Sequence, residues 1–362
     1  MSTDRLLEVI ANKVSLSPNI AEAFRQIDRA LFVPEHYHHQ GATWTSDPSG
    51  ALVYEDKALT TQVRNGLASS SSSQPSVMAL MLEALDVQSS HRVLEIGTGT
   101  GYNAALLTCL VGERGHVVSV EINEELCERA KRNLEIAGCA ERVTVVPTDG
   151  RKKVVETSAF DRLILTASFR SLESAWIEQL QLTGVLVGNL QGNLFSVLLK
   201  LQKDELQHMI GQLLPQSAYF MALHGEEYPT MNAPDWQKYD ALAREHIEPD
   251  PDLFKALDQQ AFLFFLEGQF PHMKRSMRAF GTPEQHEICQ VFLADESSAI
   301  IHQNGIVEAH GDIWNCIKNA YERYKQLGVV SLADYRLEIT MNQNLFASLR
   351  TERWSILNEA GE

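Results

Sequence analysis

An acidic residue followed by three alternating glycines is the first feature of this sequence that could do chemistry. Glu95 is followed by Gly97, Gly99 and Gly101, and an apolar run stands before them. Because glycine has no Cβ, a ligand can come close to the backbone N–H groups of such a loop and to the start of a following helix. The motif therefore predicts a ligand-binding turn between a strand and a helix.

The spacing of the glycines separates three kinds of ligand. A P-loop is excluded because no Gly-Lys-Ser/Thr follows. A dinucleotide site needs Gly-x-Gly-x-x-Gly, whereas here the third glycine arrives one residue early and Tyr102 stands in its place. The pattern Glu-x-Gly-x-Gly-x-Gly suits S-adenosylmethionine, which carries no phosphate. We predict that cofactor for the loop.

Two more carboxylates support the same cofactor. Glu121 ends the next apolar run, roughly twenty residues after the loop, where an acid can accept hydrogen bonds from both ribose hydroxyls. Asp149 ends the run after that and can accept from the adenine amino group. The predicted cofactor-binding residues are Glu95, Gly97, Thr98, Gly99, Gly101, Tyr102, Glu121, Ile122, Asp149 and Gly150.

Alternating strands and helices must position these residues. Strands are predicted at residues 93–96, 116–120, 143–146, 160–166 and 185–189, with helices that begin at residues 102, 124 and 172. Such repeated βα units imply an α/β fold with a parallel, doubly wound sheet. Residues 195–201 and 219–223 predict further strands at one edge.

The segments before and after these units do not show the same alternation of strands and helices. Residues 6–29 predict one helix, residues 36–50 an irregular polar segment, and residues 77–85 a helix. Turn residues and acids after residue 225 predict a domain boundary. Beyond it, a small α+β domain is predicted. Its helices lie near residues 236–244 and at 313–327, and its strands lie near 288–294, 299–302 and 306–309 and at 335–340. We therefore predict two domains, residues 1–225, of which about 1–90 cover the substrate, and residues 226–362.

Five consecutive serines, residues 69–73, precede Gln74 and Pro75. A serine run is usually a flexible linker. Its position argues against a linker here, because it runs directly into the apolar helix that leads to the glycine loop.

Histidines and cysteines invite a metal interpretation that the sequence does not support. His36, His38 and His39 lack a carboxylate or cysteine partner at a recognised spacing, so a solvated loop is expected. The five cysteines are scattered without a Cys-x-x-Cys pair, which predicts neither a disulfide framework nor a zinc site.

Composition excludes some classes of partner. The formal charge of −16 argues against nucleic-acid and anionic-membrane binding, since both need a basic face. The first residues do not resemble a signal peptide, and no apolar stretch approaches the roughly 18 residues of a membrane span. A cytoplasmic location is expected.

From about residue 23 to residue 225 the sequence resembles the protein L-isoaspartate O-methyltransferase family. The matching segments are residues 23–25, 32–34, 54–59, 71–75, 93–105, 149–150, 179–180 and 219–223. The family's Thr-Ile-Ser-x-Pro motif falls on residues 71–75. The resemblance implies a Rossmann-like S-adenosylmethionine-dependent methyltransferase in which Ser73, helped by Ser71, orients a substrate carboxylate.

The sequence also departs from the family pattern. Ser71 and Ser72 replace a threonine and an apolar residue, and Gly188-Asn189 replaces a common proline. The serine run and the C-terminal extension resemble the longer FxLD-type members, which are associated with ribosomally made, modified peptides. This resemblance implies an O-methyltransferase acting on an aspartate or isoaspartate carboxylate of a peptide or protein, with an aspartimide as a further product.

Several alternatives stay open from the sequence. The chain can repair isoaspartate in proteins, or it can be a non-catalytic protein that binds a peptide with a retained methyltransferase fold. The domain at residues 226–362 can recognise the peptide, or it can serve oligomerisation or stability. The sequence does not fix the oligomeric state.

Overall fold

The structure, a computed structural model, describes residues 3–40, 43–48, 50–156, 159–206, 208–223, 244–248, 250–282, 285–328, 330–339 and 345–356. The chain divides into two compact units. Unit 1 comprises Met1–Asn189, Leu198–Gly211 and Ala218–Gly225, and unit 2 comprises Leu190–Val197, Gln212–Ser217 and Glu226–Glu362. The predicted boundary at residue 225 lies outside the described residues.

Unit 1 begins with two helices rather than the predicted single one. Helix α1 spans Thr3–Ala11, α2 spans Pro18–Gln26, and a short 3-10 helix follows at Arg29–Leu31. Pro18 occupies the first turn of α2, where its missing N–H costs nothing, but it cannot continue a helix that arrives from α1. The prediction of one helix over residues 6–29 was therefore wrong.

A four-stranded sheet follows, with the order β2-β1-β3-β4. Its strands are β1 (Glu35–Gln40), β2 (Thr43–Pro48), β3 (Leu59–Arg64) and β4 (Leu67–Ser72). The irregular segment predicted at residues 36–50 is thus mostly a hairpin, and the serine run forms a strand rather than a linker. Asn65 and Gly66 both have positive φ between β3 and β4, as a tight hairpin turn requires.

The main sheet of unit 1 contains the predicted βα units. They are α3 (Pro75–Leu85), β5 (Arg92–Ile96), α4 (Tyr102–Val111), β6 (His116–Glu121), α5 (Glu124–Ile136), β7 (Val143–Pro147), β8 (Phe160–Phe169), α6 (Ser174–Gln179) and β9 (Leu180–Gln191). Two further strands are β10 (Ser196–Lys203) and β11 (Met209–Leu213), of which β11 was not predicted.

The strand order confirms a doubly wound sheet. The order is β11-β10-β9-β8-β5-β6-β7, and the pairs β5–β6, β6–β7 and β5–β8 are parallel. The chain moves outward from β5 through β6 to β7 and then returns to the other side of β5. This reversal opens a crevice at the carboxyl ends of the strands, which is where such sheets bind ligands.

Unit 2 is α+β. Its elements are β12 (Glu245–Ile247), α7 (Pro251–Ala256), α8 (Gln260–Gln269), β13 (Lys274–Thr282), β14 (Gln285–Ala294), β15 (Ser297–Ile301), β16 (Val307–His310), α9 (Ile313–Gln326), β17 (Arg336–Ile339), β18 (Leu345–Leu349) and β19 (Glu352–Ile356). One sheet has the order β12-β16-β15-β14-β13, and β17, β18 and β19 pair antiparallel in sequence.

The predicted β-β-β-α-β order is present in unit 2 as β14, β15, β16, α9 and β17, while the other strands there were missed. The apolar run at residues 262–266 lies in the buried helix α8, where the Phe264 ring packs 5.0 Å from that of Tyr335. Residues 236–243 of the predicted helix lie outside the described residues. Within the described part of the chain, no helix is long and apolar enough to cross a membrane.

Candidate functional site

A cavity in unit 1 opens at the carboxyl ends of β5, β6 and β8, on the side where the strand order reverses. Three segments form most of its wall: the glycine loop after β5, the serine run and the stretch 220–223. Its lining residues are Ser69, Ser70, Ser71, Ser72, Ser73, Met78, Ile96, Gly97, Thr98, Gly99, Thr100, Tyr102, Asn103, Val120, Glu121, Ile122, Leu126, Asp149, Gly150, Thr166, Ala167, Phe220, Met221, Ala222 and Leu223.

The glycine loop is fixed by backbone hydrogen bonds to β6. The N–H groups of Gly97 and Thr98 both donate to the carbonyl of Val120, at 2.9 and 3.1 Å. Gly97 has a φ of +100°, and a Cβ there would lie 2.7 Å from the Oγ1 of Thr166. Both the left-handed conformation and the close neighbour require glycine at this position.

Glu95 lies behind the loop rather than in the cavity wall. It is fully buried, and its carboxylate accepts from Asn103 Nδ2 at 2.8 Å and from Ser119 Oγ at 2.5 Å. The hydroxyl of Thr98 lies 2.6 Å from the same Ser119 oxygen. Burial raises the pKa of Glu95 to about 7. Glu95 therefore supports the loop from below.

Glu121 ends β6 and lines the cavity. Its Oε2 accepts from the Gly99 N–H at 3.0 Å, and its Oε1 accepts from the Asn123 N–H at 3.0 Å. Each carboxylate oxygen keeps a second lone pair, so the group can still accept two hydroxyl donors. The neighbouring Ile122 is 44% exposed and presents an apolar face to the same cavity.

Asp149, after β7, is held by Arg151. The Arg151 guanidinium makes a bidentate pair with the carboxylate, with Nε–Oδ1 at 3.0 Å and Nη2–Oδ2 at 2.8 Å. The Arg151 N–H also donates to Oδ1, and these bonds hold the pKa of Asp149 below its usual range. The remaining acceptor site is on Oδ2, so Asp149 can accept one hydrogen bond from a ligand.

The serine run separates into two sets of hydroxyls because strand side chains alternate. Ser70 and Ser72 are buried: the Ser70 hydroxyl accepts from Thr61 Oγ1 at 3.2 Å, and the Ser72 hydroxyl accepts from Arg29 Nε at 3.1 Å. Ser71 and Ser73 are half-buried and line the cavity. Within the described part of the chain, the Ser73 hydroxyl makes no hydrogen bond, so it is available to a ligand.

Arg29 is one of the residues of this site that sequence reasoning missed. It is 1% exposed and donates six hydrogen bonds, to the Ser72 hydroxyl and to the carbonyls of residues 53, 55, 57, 72 and 73. Burial lowers the pKa of Arg29 to about 10, which leaves it charged at neutral pH. This fork-shaped donor ties the serine run to the segment that precedes β3.

Residues 218–223 form an extended segment rather than the predicted strand, with one bridge between Ala222 and Ser168, and residues 220–223 of this segment line the cavity. The fully buried Asn189 holds this segment: its Nδ2 donates to the Ala218 carbonyl at 3.0 Å, and its Oδ1 accepts from the Phe220 N–H at 3.4 Å. A proline at position 189 could make neither bond.

The chemistry of the wall suits a cationic nucleoside without phosphate. Among the described residues that line the cavity are two carboxylates, but no Lys, Arg or His, the side chains that usually bind phosphate. Asn103 also lines the cavity, and its buried Oδ1 is an acceptor without a hydrogen-bond partner in the described residues. These features fit the sulfonium and the amino group of S-adenosylmethionine.

Most of the predicted site residues come together in this cavity. Ser71, Ser73, Gly97, Thr98, Gly99, Tyr102, Glu121, Ile122, Asp149 and Gly150 all line it. Glu95 and Gly101 do not: Gly101 is the N-cap of α4 and faces Ala130 and Leu134 of α5. The lining from β8 and from residues 220–223 was not predicted as a site, although parallel strands that end at one edge are a usable signal.

Comparison with known proteins gives a consistent family. The family model described as protein-L-isoaspartate(D-aspartate) O-methyltransferase (PCMT) matches residues 1–227. A protein-L-isoaspartate O-methyltransferase of Thermotoga maritima is 41% identical over 48% of this chain, and the match spans 50% of that protein. One of Ignicoccus hospitalis is 34% identical over 58% of this chain and 90% of that protein.

Solved structures extend the likeness. A protein-L-isoaspartate O-methyltransferase structure is similar over 96% of this chain and 99% of its own, with a TM-score of 0.59 and 25% identity. A structure described as a putative protein-L-isoaspartate O-methyltransferase from Plasmodium falciparum, in complex with S-adenosyl-L-homocysteine, is similar over 62% of this chain and 98% of its own. With a TM-score of 0.50 and 16% identity, this likeness shows the fold alone. Fold, cavity and sequence agree, and the chain belongs to the protein-L-isoaspartate(D-aspartate) O-methyltransferase family.

Proposed function

We propose that this protein transfers the methyl group of S-adenosylmethionine to a carboxylate of an aspartate or isoaspartate residue in a peptide or protein. The observation that carries the proposal is the composition of one cavity. Three residues with acceptor groups (Glu121, Asp149 and Asn103) line the same space as Ser73, whose hydroxyl has no hydrogen-bond partner among the described residues. Membership of the family supports the choice of an oxygen nucleophile.

Specific residues would hold the cofactor. Glu121 would accept from the ribose hydroxyls, Asp149 and Gly150 would meet the adenine, and the glycine loop with Asn103 would take the methionine end. When bound, S-adenosylmethionine supplies a methyl group already activated by a sulfonium. The protein then needs to bring a second group into line with it.

The substrate carboxylate needs no general base. Because the ordinary pKa of a carboxyl group is near 4, almost all of the substrate is in the carboxylate form at pH 7. The Ser73 hydroxyl can donate to one carboxylate oxygen, and Ser71 can assist from two residues earlier on the same side of the run. Holding the reacting atoms in line can lower a barrier by roughly 7–11 kcal/mol in favourable cases. Alignment is therefore the main work of the site.

Two matched peptides test the reaction. They share one sequence and carry either L-isoaspartate or L-aspartate at one position, and each is incubated with S-adenosylmethionine and analysed by mass spectrometry. Gain of one methyl group on the isoaspartyl peptide alone indicates repair chemistry. Binding of peptides without methyl transfer to any carboxylate would contradict the proposal and favour the non-catalytic alternative.

We further propose that the substrate is a ribosomally made peptide that is being modified. Two departures from the family pattern near the cavity support a substrate different from damaged proteins. The Ser72 hydroxyl accepts a hydrogen bond from Arg29, and the Asn189 side chain holds residues 218–223. The proposal expects methylation of an aspartate in a precursor peptide, followed by a net loss of water when an aspartimide forms. A gene neighbourhood without a short precursor, together with isoaspartate as the sole accepted residue, would contradict it.

The domain at residues 226–362 is proposed to select the peptide. Met277 of β13 and Ile288 of β14 are 56% and 47% exposed, and the antiparallel register makes them diagonal neighbours on one face of the sheet, so together they offer an apolar contact surface. The double variant Met277→Asp/Ile288→Asp should raise KM for a long peptide and leave that for a short isoaspartyl peptide unchanged. Unchanged selectivity combined with a changed mass in light scattering would favour the oligomerisation alternative.

A further inference from the structure

The β1–β2 hairpin of unit 1 separates the three histidines that the sequence places together. Side chains alternate along a strand, so His36 and His38 of β1 share one face and His39 lies on the other. The ring of His39 stacks on Trp44, with ring centroids 3.8 Å apart. The triplet is therefore a pair, His-x-His, on one face of a strand.

The hairpin also supplies the carboxylate that the sequence lacked. Asp47 of β2 lies directly opposite His36 in the antiparallel register. Its Oδ2 is 2.8 Å from the Nδ1 of His38. One nitrogen from each histidine and one oxygen from Asp47 all lie within 4.8 Å of one another. Asp47 is eleven positions after His36 in the sequence, and only the strand register shows that the two residues are neighbours.

His36 is the feature that the contact between His38 and Asp47 does not explain. The residue is 4% exposed, and its buried Nδ1 has no hydrogen-bond partner among the described residues. Burial of such a nitrogen without a partner is unfavourable, because it gives up its hydrogen bond to water. A cation bound through the Nδ1 of His36 would give this nitrogen a partner and would use the other two groups as well.

We propose that His36, His38 and Asp47 form a binding site for a divalent cation of the zinc class. Two imidazoles and one carboxylate are a ligand set that zinc accepts, with water or another donor in the fourth position. Both histidines sit on one regular strand and the carboxylate on its hydrogen-bonded neighbour, so the backbone of the hairpin keeps the three groups close together. The same sheet contains β4, so the cation would stabilise the sheet that carries Ser71 and leads directly into Ser73.

Titration of the chelator-treated full chain with zinc and with cobalt tests the site. The wild-type protein should bind zinc with micromolar or tighter affinity, in competition with a chromogenic chelator. Asp47→Asn and His38→Gln, both at half-exposed positions that tolerate change, should each weaken binding by about tenfold or more. His39→Gln is the matched control on the opposite face of the same hairpin and should bind as the wild type does.

A second group of possible ligands, in unit 2, consists of Glu287, Cys289 and His302. Metal binding there must be distinguished from binding at His36, His38 and Asp47. Cobalt separates the two, because a cysteine ligand adds a thiolate-to-metal charge-transfer absorption that two imidazoles and a carboxylate do not give. The proposal is supported if the wild type gives a cobalt spectrum without that absorption and if Asp47→Asn no longer gives this spectrum. It is overturned if the wild type binds no zinc, if the two variants bind as tightly as the wild type, or if His39→Gln weakens binding equally.

Discussion

The Nη2 of Arg29 lies 3.0 Å from the carbonyl oxygen of Ser73, the residue proposed to orient the substrate carboxylate. The same guanidinium also binds the hydroxyl and the carbonyl of Ser72. A buried, rigid donor thus sets the backbone position from which the Ser73 hydroxyl projects. The position of the Ser73 hydroxyl therefore depends on a side chain from the segment after α2.

Arg29→Lys should damage both stability and turnover. Lysine keeps the charge but has three donors in place of five, so several buried carbonyls lose their partners. We expect a loss of about 2–4 kcal/mol in the free energy of unfolding, measured with urea, since each unpaired buried polar group costs about 1–3 kcal/mol. Among folded molecules kcat should fall while the affinity for S-adenosylhomocysteine stays the same.

The matched control for Arg29→Lys is Arg25→Lys. Arg25 lies on α2, its side chain is 53% exposed, and it pairs with an equally exposed Glu22. Such surface pairs contribute about 0–1 kcal/mol. An Arg25→Lys effect as large as that of Arg29→Lys would show that any arginine on this segment matters, and the positioning role would be wrong.

Ser73→Ala should lower kcat and leave the fold intact. Its hydroxyl has no hydrogen bond in the described residues, so its removal leaves nothing unpaired in the protein. A hydrogen bond to a charged group is worth about 1.5–3 kcal/mol, which predicts a fall in kcat of about 10- to 100-fold. The measurement is methyl transfer at saturating substrate and cofactor.

Ser72→Ala is the complementary change on the neighbouring residue. It removes the acceptor of Arg29 Nε, so the unfolding free energy should fall by about 1–3 kcal/mol. Undiminished turnover in Ser73→Ala would remove that residue from the mechanism. Equal effects of the two variants on turnover and on stability would mean that the two sets of hydroxyls are not functionally distinct.

The parts of this site that sequence predicted are those with local signals. The glycine loop and Glu121 follow apolar runs that are recognisable within a few residues, and the structure puts both at the cavity. Asn65-Gly66 was an equally local hairpin signal for β3 and β4. No hairpin was predicted there, because the serines after it lack the β-branched and aromatic side chains that indicate a strand.

Other features had no local signal. Arg29 binds mostly backbone carbonyls 24 to 44 residues away, and a carbonyl leaves no trace in residue type. The β1–β2 hairpin is polar on both faces, so it lacks the alternation of apolar residues that predicts a strand. Gly188-Asn189 stands where the family pattern has a proline, and only the structure reveals that the Asn189 side chain holds residues 218–223.

Glu121→Gln should weaken cofactor binding. A glutamine accepts at one atom only, so it cannot receive both the ribose hydroxyls and the N–H groups of Gly99 and Asn123. We expect the Kd of S-adenosylhomocysteine, measured by calorimetry, to rise about tenfold or more. Glu124→Gln, an exposed acid three residues later in the first turn of α5, should leave Kd unchanged. Equal Kd values for the wild type and Glu121→Gln would mean that Glu121 does not hold the ribose.

The buried carboxylate of Glu95 should make stability depend on pH. Its pKa is raised from 4.5 to about 7 by burial, so between these values the folded protein holds a proton that the unfolded chain has lost. Stability from this group is therefore fully present below about pH 4.5 and is lost as the pH rises through about 7. The loss should be about 3 kcal/mol, since one pKa unit corresponds to about 1.4 kcal/mol.

Glu95→Gln isolates this effect, because glutamine keeps the shape and has no proton to lose. Its amide oxygen can still accept from Asn103, and its amide nitrogen can donate to Ser119, whose hydroxyl can turn toward Thr98. Urea unfolding of both proteins from pH 4.5 to 8 should give a difference in free energy that moves in favour of the variant as the pH rises and levels off above about 7. A difference that stays constant over this range would show that Glu95 is ionised throughout, with Asn103 and Ser119 stabilising the charge.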